Sequence, residues 1–389
     1  MPTRFTYSET ATQVRSVVDV FDVMSPKEVP FLKLISGGTD EKPSLNSLSI
    51  ECTASKYEWL DFEDPPLSTT LGANIDNTQT NISVASGTGK NIVEGHILLI
   101  GNEQLLVGAW TSDGDTNIPV TRGFAGTTAA AASSGATVTI IGRVHKEGGE
   151  SPNDRVVYPT NPYNWVQEWT ASLALSEMEQ AIARYGIDDA IEHETATKTR
   201  DLFRIIERHL LWQDKRVQGS GTTPAVCAGL KFFIPSGNTL DVSNNALTTT
   251  HVQNLLQTIY TNVGMANMPD TLICGPWVRR KLTSIFAANN QTVYREANND
   301  KVRGGVSVDV VVTDFGPLNI VLSDLINPSD MFVVKTDYLG FGPLRGKEFR
   351  REMLAKTGTT DKWMITGNYT FEVRCAKCHG WWRNISTTS

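Results

Sequence analysis

Few residue types and spacings in this chain could do chemistry. The sharpest string is Cys375-Ala-Lys-Cys378-His379, the C-x-x-C-H pattern through which c-type haem is attached. Proteins of that kind mature in an exported, oxidising space. Residues 1–20 show no basic start followed by an apolar core, so no secretory signal is expected. The string also reads as part of a strand beginning at Phe371, close to Trp381 and Trp382. A zinc site built on the two cysteines would need two more ligands, and Cys227 and Cys274 carry no supporting spacing. We read the pair as a chance spacing, with a metal or haem redox protein using Cys375 and Cys378 as the alternative.

The remaining motifs each fail at an identifiable residue. His193-Glu194 opens an H-E-x-x-H zinc pattern, but Thr197 stands where the second histidine belongs. Gly87-Thr-Gly89-Lys90 has the end of a phosphate loop, yet Val84 replaces its first glycine and Asn91 its Ser/Thr. Asp113-Gly-Asp-Thr-Asn117 starts like a calcium loop. Ile118 takes the glycine position and Phe124 that of the bidentate glutamate, so a hairpin turn is expected, with a weak surface cation as the alternative. No G-x-S-x-G elbow frames a nucleophile, and the six histidines (96, 145, 193, 209, 251 and 379) are dispersed. No catalytic, cofactor or metal residue is assigned. The aromatic residues Tyr57, Trp59, Trp165 and Trp169 are the candidate subunit-interface anchors.

Composition narrows the class. The 389 residues carry 35 Lys+Arg against 42 Asp+Glu, a net charge of −7, which argues against gripping nucleic acid by its phosphates. It does not exclude a wall that encloses DNA, which should avoid sticking to its cargo. No apolar run approaches the ~20 residues of a membrane helix, so a soluble, intracellular product and no membrane partner are expected. Five scattered cysteines point to a reducing compartment and away from a disulfide framework.

The elements that would position these residues follow from periodicity. Residues 1–47 read as an arm interrupted by Pro26, Pro30 and Pro43, with a short amphipathic piece at Val14, Val17, Val18 and Phe21. Alternation at Leu48, Ile50, Cys52, Tyr57 and Trp59 predicts a long outgoing strand, and Trp165–Trp169 a returning one. Between them, residues 73–142 are rich in Thr, Ser, Gly and Ala and hold short β runs, with Gly101-Asn102 as a hairpin turn. The stretch Ile187–Arg216 lacks Pro and Gly and predicts a helix of about 45 Å with a thin apolar stripe through Ile191, Leu202, Phe203, Ile206, Leu210 and Leu211. An α/β unit follows: a helix capped at Thr250 and ended by Gly264, a strand at Thr271–Cys274, a helix from Pro276 through Phe286, and alternating Val306, Val308, Val310 and Val312. Residues 362–386 read as a strand pair split near Gly367-Asn368.

This order of arm, long two-stranded loop, spine helix, α/β unit and closing strands resembles the α+β Johnson fold of tailed-phage and herpesvirus major capsid proteins. Strings similar to one phage capsid family, with an all-β insertion in its extended loop, occur in order along the chain. They are Val120-Thr-Arg-Gly-Phe-Ala-Gly-Thr127, Glu147-Gly148, Leu202-Phe-Arg-Ile-Ile-Glu207, Gly229-Leu230, Val312-Thr-Asp-Phe-Gly316, Leu344-Arg345, Leu354-Ala-Lys-Thr-Gly358 and Asn368-Tyr-Thr-Phe-Glu-Val373.

The resemblance implies an N-arm at 1–47, an extended E-loop at 48–72 and 143–175, and an insertion domain at 73–142. It further implies a peripheral (P) domain at 176–240 and 340–389, with a spine helix at about 187–216, and an axial (A) domain at 241–339. The implied function is structural: pentamers and hexamers of a bacteriophage major capsid protein forming an icosahedral virion shell. That shell would be assembled in the host bacterial cytoplasm around double-stranded DNA bound without sequence preference, with no cofactor and no catalysis. Portal, scaffolding or decoration proteins are further implied partners. An encapsulin-like compartment shell shares the fold and is the main alternative.

Overall fold

The computed structural model describes residues 28–36, 45–110, 114–150, 155, 158–182, 189–288, 310–356 and 358–388. In chain order the elements are α1 (Pro30–Ser36), β1 (Lys56–Glu58), β2 (Ser68–Thr70), β3 (Asn81–Ile82), β4 (His96–Ile100), β5 (Glu103–Val107), β6 (Ile118–Thr121), β7 (Thr137–Arg143), β8 (Tyr163–Trp165) and β9 (Gln167–Ser176). Then come α2 (Glu177–Ala181), α3 (Ala190–Trp212), α4 (Leu230–Phe233), β10 (Thr239–Asp241), α5 (Thr249–Val263), β11 (Thr271–Cys274), α6 (Pro276–Ala288), β12 (Val310–Thr313) and β13 (Gly316–Leu322). The last are β14 (Met331–Val334), β15 (Leu339–Pro343), β16 (Arg350–Met353), β17 (Thr360–Val373) and β18 (Gly380–Arg383). The chain divides into two compact units, Leu60–Asn161 and the remainder.

The Leu60–Asn161 unit is a six-stranded sheet in the order β2-β7-β4-β5-β6-β3. Its strands β4 and β5 alternate buried and half-exposed residues, the period-2 pattern of a sheet with one face on a core. That core gathers Leu71, Ile82, Leu98, Leu105, Ile118 and Val138. Gly101, at φ +60°, makes the predicted β4–β5 turn. Because β2 pairs with β7, the sheet takes in residues N-terminal to the expected 73–142.

The other unit is built around α3. Asp189 caps this helix, accepting from the Ile191 and Glu192 N–H groups at 2.8 and 3.2 Å. The helix is shorter than 187–216, and 23 residues give about 34 Å. Its buried stripe is the predicted one with Glu207 added and Ile191 left half-exposed near the helix start. The stripe lies on a four-stranded sheet in which β17 pairs over Thr360–Tyr369 with β9 and, on its other side, with β15 and β16. A six-stranded sheet, β10-β18-β14-β11-β13-β12, holds a second core with α5 and α6.

Several sequence expectations are corrected. Of the long outgoing strand only Lys56–Glu58 forms a ladder, against Tyr163–Trp165, while Cys52 makes a single bridge to Leu344. Helix α5 is capped by Thr248 rather than Thr250, its hydroxyl accepting from the His251 N–H. Strand β17 runs unbroken through Gly367-Asn368. Gly367 serves packing instead of a turn, because a Cβ there would lie 2.7 Å from the Phe349 ring. The break falls at Arg374–His379, so Cys375 and Cys378 occupy a tight turn, not a strand, and they are joined by a disulfide. Val306, Val308 and the amphipathic piece at Val14–Phe21 lie outside the described residues.

Candidate assembly surface

Tyr57 lies on β1, Trp59 just beyond it, Trp165 on β8 and Trp169 on β9, and three of the four point inward. Tyr57 and Trp59 are each 7% exposed and Trp169 is 5% exposed. Trp59 packs its ring 5.6 Å from Phe233, in a small cluster with Tyr57, Cys52 and Val166. The Tyr57 hydroxyl lies 3.2 Å from both the Ile50 carbonyl and a Glu372 carboxylate oxygen. Burial, reinforced by that carboxylate, pushes its pKa up to about 12. Trp169 faces the underside of α3, edge-on to His209 at 4.9 Å. Trp165 alone stays half-exposed, its ring edge-on to Tyr163 at 5.8 Å. Three side chains already buried in their own chain have little area left for a neighbour.

The β1–β8 pair is held by groups that composition and spacing did not single out. Asn164 is fully buried. Its amide nitrogen donates to the Ala228 and Phe371 carbonyls at 3.0 and 2.9 Å, and its oxygen accepts from the Trp165 and Ala228 N–H groups. Arg216 donates to the Tyr163 carbonyl and lies 3.4 Å over the Tyr163 ring. Glu207 on α3 is also fully buried. One carboxylate oxygen accepts from the Phe31 and Leu32 N–H groups, both at 3.1 Å, and the Ser323 hydroxyl donates to the other at 3.0 Å. Burial pushes the Glu207 pKa up to about 7, the hydrogen bonds opposing it and Asp324 adding to it. This single side chain thus ties α1 and the 323 turn to the spine. Its signal was present in the sequence, since 207 lies in the same stripe as 203, 206 and 210.

Large apolar side chains are instead exposed elsewhere. Ile50 is exposed in one unit, and Leu60, Phe62, Leu67 and Tyr158 in the Leu60–Asn161 unit.

The phosphate-loop-like Gly87–Lys90 string resolves as structure, while Asp113 of the calcium-like string lies outside the described residues. The Gly87 and Gly89 N–H groups donate to the Asp115 carboxylate at 2.6 and 2.7 Å, so an internal anion already fills the turn a phosphate would need. Cys227 and Cys274 are separately buried free thiols. Among the described residues no group of three or more His, Cys, Asp or Glu side chains gathers as a metal site.

Residues 3–386 match the family model described as SU10 major capsid protein. The chain belongs to that family. This capsid protein is similar to solved structures at low identity. Against the capsid asymmetric unit of cyanophage A-1(L) the TM-score is 0.55 at 12% identity, covering 98% of this chain and 100% of that one. Against Mycobacterium phage Bobi it is 0.48 at 10% identity, covering 98% and 99%. The holo-SrpI encapsulin of Synechococcus elongatus PCC 7942 scores 0.44 at 10% identity, covering 61% and 79%. No curated protein matches the chain. The α+β fold is the one phage major capsid proteins share, and the chain is a structural component of a bacteriophage virion shell.

Proposed function

We propose that this capsid protein assembles into pentamers and hexamers that close an icosahedral head around double-stranded DNA, without catalysis and without sequence-specific contact to the genome. The family match over residues 3–386 carries the reading. The acidic balance of −7 fits a wall that does not adhere to its contents.

In this reading residues 1–47 form the N-arm, and the E-loop at 48–72 and 143–175 is rooted at β1 and β8. The 73–142 insertion sits in the Leu60–Asn161 unit. The P domain at 176–240 and 340–389 holds α3 and the four-stranded sheet. The A domain at 241–339 is completed by β10 and β18, which join its six-stranded sheet. Tyr57, Trp59 and Trp169 act by stiffening the loop root rather than by touching a neighbour, and Trp165 keeps a share in the interface. The main anchoring area comes from Leu60, Phe62, Leu67 and Tyr158, at ~25 cal/mol per Å² of apolar surface buried. Closed symmetry multiplies such modest contacts into a stable shell. Portal, scaffolding and decoration proteins are the further partners of this reading.

Negative-stain microscopy of the overexpressed full chain tests it. Closed, uniform shells are expected, and a persistently monomeric protein overturns the reading. Shells recovered with a co-purified enzyme in place of nucleic acid would point to a compartment of the encapsulin kind.

A further inference from the structure

Strand β17 ends at Val373 in the four-stranded sheet, and β18 begins at Gly380 in the six-stranded one, between β10 and β14. The six residues between them cross from one sheet to the other. Beside this crossing runs a second, Lys335–Tyr338, which leads from β14 to β15. The two are stitched together. The Arg374 N–H donates to the Tyr338 carbonyl at 2.9 Å, and the Lys335 N–H donates to His379 Nδ1 at 3.3 Å. With Nδ1 accepting, His379 Nε2 is the protonated nitrogen and donates to the Arg374 carbonyl at 3.2 Å. Burial pushes the His379 pKa down to about 4, so the ring is neutral at physiological pH. Asn238 donates to the Lys377 and His379 carbonyls at 2.6 and 2.9 Å. Within this frame Cys375 adopts φ +48°, a left-handed conformation that L side chains rarely take.

The cysteines differ sharply in their surroundings. Cys52, Cys227 and Cys274 are buried thiols, and burial pushes the last two up to about 12, far from the thiolate that reacts. Cys375 is half-buried on the turn, and Cys378 is fully buried next to it. Only this pair joins a half-buried cysteine to a partner in bonding position.

We propose that Cys375 and Cys378 are a reversible dithiol–disulfide site that locks the crossing between the two sheets. The pair is open while the chain folds in a reducing cell and closed once the shell meets an oxidising exterior. The oxidant is a small-molecule disulfide. The Cys375 thiolate attacks one of its sulfurs, forming a mixed disulfide and expelling one thiolate. Cys378 then gives up its proton and attacks Cys375 Sγ. The protein S–S bond forms, the mixed bond breaks, and the second small thiol leaves with the electron pair. The two protein thiols are oxidised, and the reagent is reduced to two thiols. The closed bridge holds Cys375 in its left-handed conformation and fixes how β17 and β18 leave the turn, whereas the open turn is held by hydrogen bonds alone.

Oxidised glutathione is the probe, and the test does not require that shells form. Protein is taken from acid-quenched expressing cells, and again after purification and exposure to oxidised glutathione. Each sample is alkylated, digested with trypsin and weighed. Cleavage after Arg374, Lys377 and Arg383 separates the two cysteines, so only a disulfide keeps their peptides together. Separate alkylated peptides are expected from cells, a linked pair after oxidation, and separation again after dithiothreitol, with Cys52, Cys227 and Cys274 remaining thiols. Two alkylated peptides after oxidation, or a linked pair already present in cells, overturns the proposal. As a second measurement, dithiothreitol should lower the thermal midpoint of the oxidised wild type by about 2–4 °C. The Cys375→Ser/Cys378→Ser variant should not respond, and an equal response would overturn the lock. If that variant does not fold, the peptide measurement on the wild type decides alone.

Discussion

Glu207 is an acid placed where the spine helix otherwise buries only apolar groups, and its two backbone partners explain why an acceptor is needed there. Without it the Phe31 and Leu32 N–H groups would be buried and unpaired, each costing about 1–3 kcal/mol. Glu207→Ala is therefore expected to destabilise the folded chain by roughly 3 kcal/mol, read from chemical denaturation. Glu207→Gln keeps an acceptor for both amides and can turn the Ser323 contact round, donating to the hydroxyl. The pH dependence has a definite sign. Because the folded carboxyl holds its proton up to about 7, its stabilising share is complete below the unfolded value and is lost as pH rises through the folded one. The thermal midpoint of Glu207→Gln minus that of the wild type should accordingly grow between about pH 5 and pH 8. A difference independent of pH would show that Glu207 does not titrate there. At this scale the sequence was only partly legible. The stripe of Leu202, Phe203, Ile206, Leu210 and Leu211 could be read from spacing, but the partners of Glu207 lie about 175 and 116 residues away, beyond any local pattern. The disulfide was misread for a related reason. A disulfide framework shows itself as an even, spaced set of cysteines, and one local bridge among five leaves no such mark.

Among the elements, the end of the spine depends on one glycine. A Cβ at Gly229 would stand 2.6 Å from the His209 and Leu210 carbonyl oxygens, so α4 can cross the last turn of α3 only with no side chain at that point. Gly229→Ala should force the two helices apart and cost about 2 kcal/mol or more, checked by denaturation midpoint. Gly229-Leu230 was noticed in the sequence as a likeness, and the close approach is its physical reason. At the other end of α3, Asp189→Ala removes an acceptor shared by two N–H groups and should cost about 1 kcal/mol by the same measurement. Helices with regular apolar spacing were legible to within a few residues, as α5 and α6 show. Strands were less so. Leu48, Ile50 and Cys52 alternate as a strand would, yet a ladder needs a partner over several residues; Lys56–Glu58 has one, and Cys52 has a single bridge. Gly367-Asn368 reads as a turn by composition, but β9, β15 and β16 hold β17 straight through it.

For the whole molecule, the Leu60–Asn161 unit carries its own sheet and core, so residues 60–161 expressed alone should unfold cooperatively with a β-rich circular dichroism spectrum. Within the full chain, Phe62→Asp is expected to leave circular dichroism unchanged while reducing the yield of shells at least tenfold, counted by sedimentation. Undiminished yield would remove Phe62 from the interface. The order of segments along the chain was legible from sequence because texture changes abruptly, from Thr/Ser/Gly-rich β runs to a helix without Pro or Gly. The sheet order was not, since β18 comes late in the chain yet lies between β10 and β14. That placement bears on synthesis. When Met331–Val334 has emerged from the ribosome, its pairing edge must wait for residues 380–383, some 46 residues later, or a few seconds at ordinary translation rates. Until then a bare, wholly apolar strand margin faces the crowded cell, inviting either a chaperone or a misplaced neighbour. A nascent subunit therefore cannot finish its central sheet, or join other subunits with that sheet complete, before the closing strand arrives.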